Sequence, residues 1–324
     1  MTARSNADTL ITVYGGSGFL GRHVVRALAK RDYRIRVACR RPELANFLQP
    51  LGRVGQIHTV QANLRHAGSV DAAARDAQVV INLVGILAEG GKQRFDKVHT
   101  YGTEQVALAA NAHGARLVHV SALGADENSL AAYARSKAAA EKLALSAQPQ
   151  AVIMRPSILF GPEDDFFNRF ATLARMSPVL PLIGGGETKF QPVFVGDVAA
   201  AIADAVDGKL RGGTIYELGG PEVLTFKQLM QFVLATIERK RLLVPVPFFA
   251  ANIKAMFLQF APPPLKLTRD QVEMLRIDNI VSEAAKAEGR TLQAIGIEPD
   301  SIEAIVPSYL WRFRRAGQFR PKSA

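Results

Sequence analysis

The sequence predicts an α/β protein, in which a Rossmann-type, doubly wound parallel sheet is joined to a smaller carboxyl-terminal α/β lobe. Short β-type runs alternate with helical patterns through the first half of the 324 residues, and a glycine-rich stretch stands where the first run meets the first helical pattern. Proline and glycine break up the pattern after Pro156. We therefore expect a nucleotide-binding core over 1–156 and a smaller lobe over 157–324, which also supplies elements that complete the core.

Each element follows from its local pattern. Runs rich in β-branched and apolar residues predict six strands, at 9–14, 33–39, 56–61, 78–84, 116–122 and 151–155. Helical spacing of apolar residues between them predicts helices, most clearly at 19–31, 95–113 and 130–147. After Pro156 we expect helices at about 165–176 and 197–206 and a strand near 214–219. Thr225 is expected to cap one further helix at its amino end.

Composition limits the classes of function. Forty Lys and Arg against 29 Asp and Glu give a formal charge of +11, which favours phosphates, anionic lipid or an acidic protein face, although a solvated basic surface would give the same excess. The single cysteine, Cys39, excludes a disulfide framework and a cysteine-rich metal site, so we predict no metal and a reducing compartment. Residues 1–8 do not resemble a signal peptide, which indicates a cytoplasmic chain.

A glycine loop carries the first chemical signal. The pattern G-x-G-x-x-G stands where a predicted strand turns into a predicted helix. Gly15 and Gly16 permit the tight turn, and Gly18 lets the backbone approach a pyrophosphate. Gly21 allows the helix to pack closely on the strand, and the helix amino terminus supplies N–H donors. The sequence therefore predicts a dinucleotide site that includes Gly15, Gly16, Ser17, Gly18, Phe19, Leu20 and Gly21.

The end of the second strand favours a cofactor that carries a 2′-phosphate. An NAD site usually has Asp or Glu there to accept from the ribose hydroxyl, but here Cys39-Arg40-Arg41 follows with no acid. Guanidinium groups bind a phosphate bidentately. We therefore predict NADP(H), with Arg40 as the first candidate and Arg41 as the second, because strand alternation points Arg36 along the sheet. The alternative is that the two arginines only cap the strand in water.

A serine, a tyrosine and a lysine give the second chemical signal. Tyr133 and Lys137 stand four residues apart in a stretch of strong helix propensity, so they share one helix face. A neighbouring cation favours phenolate, which lets the pair donate and accept a proton near neutral pH. Ser121, at the end of the fifth strand, is placed to bond the same substrate oxygen. These three residues are the candidate catalytic group.

These motifs resemble a known superfamily. Gly15 to Gly21, Ser121, Tyr133, Lys137 and RPSILFGP (155–162) are similar to the extended and atypical short-chain dehydrogenases/reductases. A closer resemblance runs through nearly the whole chain, to the NADPH-binding accessory subunits of respiratory complex I and their bacterial relatives. It is carried by GGSGFLGRHVV, VVINLVGIL, RLVHVSALGA, YARSKAAAEK, FGPEDDFFNRFA, KFQPVFVGDVAAAI and LTRDQVEMLRIDN. The last motif, at 267–279, is the most specific, because the superfamily at large lacks it.

The resemblance implies a tightly held NADPH with no established turnover. It also implies a place on the peripheral arm of complex I, at the inner face of the bacterial plasma membrane. Residue by residue, the glycines bind pyrophosphate, Arg40 meets the 2′-phosphate, and Tyr133 and Lys137 meet the nicotinamide ribose. The remaining predicted cofactor contacts lie at or just beyond the ends of the third, fourth and sixth strands, and they are Asn63, Leu83, Val84, Gly85 and Pro156.

Two positions depart from the superfamily pattern. Tyr14 stands where threonine is common, which predicts a modest change in the hydrogen bonding of the loop. His99 stands where extended members commonly carry an asparagine that holds a proton-relay water, so a complete active tetrad is in question. The alternative role for His99 is a hydrogen-bonded core or rim histidine.

The carboxyl third suggests a docking surface. Residues 242–265 carry one charge, Lys254, but prolines leave room only for a helix between Pro247 and Pro262 that is too short to span a bilayer. That helix is a lid, a pocket wall, a partner contact or a membrane-interface helix. Residues 309–322 interleave arginine with aromatic residues, which suits phosphate-bearing lipid or a protein hot spot. No recognised nucleic-acid module accompanies them, so we predict no nucleic-acid partner.

Two hypotheses follow. The first is a membrane-peripheral accessory subunit or assembly factor of complex I, with NADP(H) mainly as a structural ligand. The second is an active NADPH-dependent reductase, dehydrogenase or epimerase that uses Ser121, Tyr133 and Lys137 on an apolar, quinone-like or lipid-like substrate.

Overall fold

The structure of the protein is a computed structural model that describes residues 5–262, 264–315 and 317. By its contacts the chain divides into two compact units. The first runs to Pro156 and takes in Gly196–Leu218 and Glu283–Ile297, and the second holds Ser157–Val195, Gly219–Ser282 and the chain from Glu298 onward. Within the described ranges, none of the helices combines the length and the apolar character that crossing a membrane requires.

The first unit is built on a seven-stranded parallel sheet. Six strands come from its first segment, and they are β1 (Leu10–Tyr14), β2 (Arg34–Cys39), β3 (Ile57–Gln61), β4 (Val79–Asn82), β5 (Arg116–Val120) and β6 (Val152–Pro156). The seventh strand, Ile215–Leu218, pairs with β6, and the order across the sheet is Ile215–Leu218, β6, β5, β4, β1, β2, β3. Every neighbouring pair is parallel, and the order reverses between β4 and β1. The predicted doubly wound fold class is therefore confirmed.

Helices cover this sheet. They are α1 (Phe19–Lys30), α2 (Ala67–Ala74), α3 (Tyr101–Ala112) and α4 (Ala132–Ala147), with Val195–Val206 and Glu283–Ala287 from the later segments. All four residues of β4 are buried, as expected for a central parallel strand with both faces covered. The predicted helix at 95–113 is interrupted, because Asp96–Thr100 forms a π-helical turn before α3. The segment Pro42–Leu51, after β2, winds as 3₁₀ turns.

The described residues of the second unit form three short strand pairs and a phenylalanine-rich core. Val179–Ile183 pairs in parallel with Leu242–Val246, and the other two pairs are Leu159–Phe160 with Val193–Phe194 and Lys189–Phe190 with Leu224–Thr225. Its helices are Phe167–Met176, Phe226–Thr236, Phe248–Leu258, Arg269–Met274, Ile302–Ile305 and Pro307–Leu310. Thr225 caps its helix as predicted, because its side chain accepts from the N–H of Gln228.

The expected docking tail needs a correction. Its first residues belong to the core of the second unit, because the Tyr309 hydroxyl donates to Asp164 Oδ2 at 2.5 Å and Phe313 is buried. Arg312 bonds Asn168 Oδ1, and Arg314 bonds the Thr236 carbonyl. The alternating aromatic and basic residues of 309–314 therefore pack and form hydrogen bonds within the second unit. The later part of the predicted tail, with Phe319, Arg320 and Lys322, lies outside the described residues.

Candidate functional site

The predicted site residues of the first unit follow the carboxyl ends of neighbouring strands. Gly15 follows β1, Arg40 follows β2 and Asn63 lies just beyond β3. Leu83 follows β4, Ser121 follows β5, and Pro156 is the last residue of β6. Because all these strands are parallel, their carboxyl ends share one edge of the sheet. The site therefore spans the reversal of strand order between β1 and β4, which is where doubly wound folds bind ligands.

The glycine loop fits only glycine at two positions. Gly15 has a positive φ of 80°, and a Cβ there would lie 3.1 Å from the Val84 side chain. A Cβ at Gly21 would lie 2.4 Å from the Gly15 carbonyl oxygen, so no other residue is accommodated without moving the backbone. Helix α1 begins at Phe19 after the exposed Gly18, which makes no side-chain capping bond. The loop therefore presents N–H donors at a helix amino terminus, the arrangement that receives a pyrophosphate.

The region after β2 adjoins this loop. The Cys39 thiol is buried, which raises its pKa, while hydrogen bonds from the Arg41 backbone N–H and the Ser17 side chain act in the opposite direction. Arg40 and Arg41 are both exposed. Arg36 instead donates to the carbonyl of Ala73 at 2.9 Å, away from the strand end, as the alternation predicted. Two guanidinium groups thus stand in solvent beside the loop.

Ser121 and Lys137 are buried together with the end of β5. The Ser121 N–H donates to the Met154 carbonyl at 2.7 Å, and its Oγ has no hydrogen-bond partner within the described part of the chain. Lys137 Nζ donates to the Val120 carbonyl at 3.1 Å. Burial lowers the pKa of Lys137 to about 8, against the opposing charge of Glu141. Tyr133, one turn before Lys137 on α4, is half-buried.

His99 is held as a neutral core residue. The Ile86 N–H donates to His99 Nε2 at 3.0 Å, so the ring proton is on Nδ1, which lies 2.8 Å from Ser136 Oγ. The Ser136 hydroxyl in turn donates to the Tyr133 carbonyl at 2.7 Å. Burial, and then the Lys137 charge, lower the pKa of His99 to about 3. His99 is therefore a hydrogen-bonded core histidine, and its imidazole ring is uncharged at neutral pH.

The loop after β4 passes close to the same groups. A Cβ at Gly85 would lie 3.5 Å from Lys137 Nζ and 3.6 Å from His99 Nε2. Phe95 stacks on His99 with ring centroids 5.3 Å apart, and it meets the Tyr133 ring edge-on at 5.8 Å. The loop after β4 and helix α4 thus pack together around the part of the site that contains Tyr133 and Lys137.

Two residues depart from the expectations. Tyr14 does not bond the glycine loop, because its hydroxyl donates to the Val70 carbonyl at 2.5 Å within the core. Sequence reasoning missed His119, which is buried and has no hydrogen-bond partner for either ring nitrogen among the described residues. Burial, with the charge of Lys137, puts its pKa well below the usual value. The signal was strand alternation, which places His119 on the same face as Ser121.

Asn63 lies at the same edge of the sheet as the other predicted site residues, but among the described residues its hydrogen bonds are to residues outside that set. Its N–H bonds Ser69 Oγ at 3.1 Å, and its Oδ1 accepts from the N–H of Arg65, neither of which is a predicted site residue. Val84 is bonded through its N–H to Asn82 Oδ1, and the Pro156 carbonyl accepts from the Leu123 N–H. Leu83, through its N–H, bonds the Tyr14 carbonyl.

The second unit carries an exposed apolar helix face. Phe248–Leu258 buries Ala251 and Ala255, whereas Phe249 is 69 % and Phe257 is 72 % exposed. Ile253, Met256 and Phe260 are also exposed. We call these five exposed side chains the apolar face.

The sequence matches the NAD dependent epimerase/dehydratase family over residues 11–219. It is 36 % identical to "NADH dehydrogenase [ubiquinone] 1 alpha subcomplex subunit 9, mitochondrial" of Arabidopsis thaliana, over 97 % of this chain and 80 % of that protein. The protein of the same name from Rattus norvegicus is 31 % identical over 92 % of this chain and 79 % of its own length. "Ceramide reductase" of Caulobacter vibrioides is 36 % identical over 61 % of each chain.

Solved structures share the fold. An NADPH-dependent quinone oxidoreductase from Escherichia coli, complexed with NADPH, aligns with a TM-score of 0.72 at 19 % identity, over 93 % of this chain and 99 % of its own. A dTDP-glucose 4,6-dehydratase from Streptomyces venezuelae with NAD bound aligns with a TM-score of 0.69 at 20 % identity, over 97 % of this chain and 99 % of its own. The match to the NAD dependent epimerase/dehydratase family supports a nicotinamide cofactor.

Proposed function

The chain belongs to the NAD dependent epimerase/dehydratase family, and from this premise we propose that it is a NADP(H)-binding accessory subunit or assembly factor of respiratory complex I. The observation that carries the proposal is identity of 31–36 % to subunits named for NADH dehydrogenase, over 92–97 % of this chain. That similarity extends through the second unit, far beyond the family match at 11–219.

The chain's own groups fit NADP(H). The glycine loop turns directly into α1, because a Cβ at Gly21 would overlap the Gly15 carbonyl, and the amino terminus of α1 offers N–H donors to a pyrophosphate. Arg40 and Arg41 stand exposed beside it and bind the 2′-phosphate, with no acid at the end of β2 to repel it. Lys137 and Tyr133 hold the nicotinamide ribose. When bound, NADP(H) supplies a hydride donor or acceptor.

The surroundings of Tyr133 favour a structural nucleotide. A proton relay from Tyr133 through position 99 needs a side chain there that holds a relay water or exchanges protons near pH 7. His99 is neutral, and both of its ring nitrogens are engaged, by Ile86 and Ser136. We therefore assign Ser121, Tyr133 and Lys137 to binding and orienting the nucleotide rather than to turnover.

We further propose that the apolar face docks at the inner surface of the bacterial plasma membrane. A helix that lies in the interface needs exposed apolar side chains and nearby cations. Lys254 and Arg269 are exposed near the apolar face, and residues 239–269 contain no Asp or Glu. Exposed apolar area with exposed cations in the same stretch of chain suits anionic lipid.

Co-purification tests the complex I assignment. An amino-terminally tagged chain should migrate with complex I from detergent-solubilised membranes, and Tyr133→Phe should migrate equally well. Separation of the parent chain from complex I would overturn the assignment. Steady NADPH oxidation with a carbonyl or quinone, abolished in Tyr133→Phe, would instead identify an active reductase.

Vesicle sedimentation tests the membrane contact. The double variant Phe249→Ser, Phe257→Ser should lose binding to phosphatidylglycerol vesicles. Leu130→Ser, a change at a side chain of the first unit that is 79 % exposed, is the matched control and should bind as the parent does. Equal binding of all three proteins would exclude the apolar face as the lipid contact.

A further inference from the structure

Arginine side chains surround the buried Phe313 of the second unit. The guanidinium carbon of Arg175 lies 5.9 Å from the centre of the Phe313 ring. Arg239 Nε donates to the Phe313 carbonyl at 3.1 Å. Arg315 follows Phe313 by two residues and is exposed. Three segments that are far apart in the sequence therefore bring positive charges to one place.

A fourth arginine joins this group. Arg241 Nε donates at 2.7 Å to the carbonyl of Ala174, which directly precedes Arg175 in the chain. Desolvation, followed by the charges of its three arginine neighbours, lowers the pKa of Arg239. We call these residues the arginine cluster, and its members are Arg175, Arg239, Arg241 and Arg315.

Acidic side chains do not balance the arginine cluster. Within the described part of the chain, none of its four members forms an ion pair with Asp or Glu, and the adjacent Glu238 pairs with Arg314 at 3.5 Å. The sequence has no Asp or Glu in 166–186, 239–269 or 304–324, which contain all four arginines. Like charges held close together repel one another, so a bound anion would lower the free energy of this arrangement.

The donors of the arginine cluster suit a phosphate group. Arg239 is fixed through Nε, and among the described residues its two Nη groups have no acceptor. Arg241 is fixed through Nε and through Nη1, which donates to the Lys240 carbonyl at 3.0 Å. The guanidinium groups of Arg175 and Arg315 make no hydrogen bond within the same described ranges. The forked N–H donors of guanidinium match the oxygens of phosphate, which can accept from more than one arginine.

Exposed apolar side chains adjoin the arginine cluster. Met176 follows Arg175 in the chain and is 61 % exposed, and Leu242 follows Arg241 and is 68 % exposed. A free phosphate ion gains nothing from such side chains, whereas a phospholipid joins a phosphate to apolar chains. Cations beside exposed apolar side chains therefore favour a lipid as the source of the phosphate.

We propose that the arginine cluster binds the phosphate of an anionic phospholipid headgroup, with Met176 and Leu242 against the apolar part of the same lipid. This inference rests on the membrane contact in the proposed function and adds a headgroup site to it. The site shares no residue with the apolar face, so the two can be tested separately.

Vesicle sedimentation with the purified full chain tests the headgroup site. The variant Arg175→Gln, Arg315→Gln should bind phosphatidylglycerol vesicles about 10- to 50-fold more weakly than the parent. On phosphatidylcholine vesicles, which carry no net charge, the two proteins should bind alike. Arg26→Gln, Arg34→Gln removes two exposed arginines of the first unit and is the charge-matched control, which should bind within about threefold of the parent.

A charge-conserving variant separates phosphate recognition from general attraction. Arg175→Lys, Arg315→Lys keeps both charges but lacks the guanidinium fork, so it should bind phosphatidylglycerol vesicles more weakly than the parent. Equal binding of this variant and the parent would mean that the cluster contributes only diffuse charge, and it would overturn the headgroup site.

The outcomes distinguish the headgroup site from the apolar face. A parent chain that does not sediment with phosphatidylglycerol vesicles would overturn both membrane contacts. A parent that binds, with equal binding by Arg175→Gln, Arg315→Gln, would overturn the headgroup site alone. Weaker binding by that variant, with parent-like binding by Phe249→Ser, Phe257→Ser, would support the headgroup site and exclude the apolar face.

Two further measurements test other anions. If calorimetry showed that the parent binds inorganic phosphate and that Arg175→Gln, Arg315→Gln does not, with equal vesicle binding by both, the cluster would be a site for free phosphate. If this variant bound vesicles as the parent does but no longer migrated with complex I, the cluster would contact an acidic protein surface. Either result would overturn the lipid assignment.

Discussion

Replacing Lys137 by methionine is expected to stabilise the nucleotide-free protein. Lys137 is 5 % exposed, and burial lowers its pKa from 10.5 to about 8. Since a tenfold change in proton affinity corresponds to about 1.4 kcal/mol, this depression corresponds to about 3 kcal/mol of cost for burying the charged ammonium. The variant also loses the hydrogen bond to the Val120 carbonyl, which costs about 1 kcal/mol. The expected net increase in the free energy of unfolding is therefore about 1–3 kcal/mol at pH 7.

Alkaline pH should remove this difference. Between about pH 8 and 10.5 the unfolded chain keeps the Lys137 proton that the folded chain has lost. The unfolded state therefore binds more protons, and the stability of the parent rises with pH in this window. Lys137→Met lacks this rise, so the two proteins should approach each other in stability above about pH 10.

Urea unfolding of nucleotide-free protein at pH 7 and pH 10 measures both effects. Lys142→Met is the matched control, because Lys142 lies on the same helix with its side chain 72 % exposed and pairs with Glu127. Its free energy of unfolding should change by less than about 0.5 kcal/mol. If Lys137→Met were less stable than the parent at pH 7, the argument from buried charge would be wrong.

Three further substitutions test other parts of the structure. Arg40→Ala should weaken NADPH binding by about tenfold or more and leave NADH binding unchanged, as measured by calorimetry. Unchanged NADPH affinity would show that Arg40 does not bind the 2′-phosphate. Gly21→Ala should abolish nucleotide binding, because its Cβ would lie 2.4 Å from the Gly15 carbonyl oxygen, and tight binding by this variant would contradict the loop geometry. Tyr309→Phe should lower the free energy of unfolding by about 1–3 kcal/mol, because the buried Asp164 loses a donor, and urea unfolding would show no change if that bond were unimportant.

Local patterns predicted the sheet because each strand is marked within its own few residues. Val79–Asn82 is a continuous apolar run that ends in Asn82, and the glycine loop fixes the turn from β1 to α1. The pair formed by Val179–Ile183 and Leu242–Val246 was missed. Each of its strands contains a proline, Pro181 and Pro245, which disguises a strand in the sequence but is tolerated where one edge is unpaired. Pairing across some sixty residues is not a local property.

The candidate site divides in the same way. Positions at strand ends, such as Ser121, were predictable because parallel strands bring their carboxyl ends to one edge. The neutral state of His99 was not, because it depends on the Ile86 N–H, which the fold brings to Nε2 from another segment. The use of Tyr309 and Phe313 in the core was also hidden, since alternating aromatic and basic residues look alike in a docking tail and in a packed terminus.

The cost of burying Lys137 bears on the proposed structural role of the nucleotide. Lys137 Nζ is bonded to the Val120 carbonyl, and the nearby Ser121 Oγ and His119 ring have no hydrogen-bond partner among the described residues. A fold that buries such groups is less stable without a ligand than with one. A ribose hydroxyl supplies partners to such groups, and any ligand that binds only the folded state stabilises it by mass action. On this argument, the buried polar groups at Lys137 and Ser121 make the stability of the folded first unit depend on a bound nucleotide. On the function we propose, loss of NADP(H) should first appear as loss of the folded subunit from complex I, before any catalytic defect.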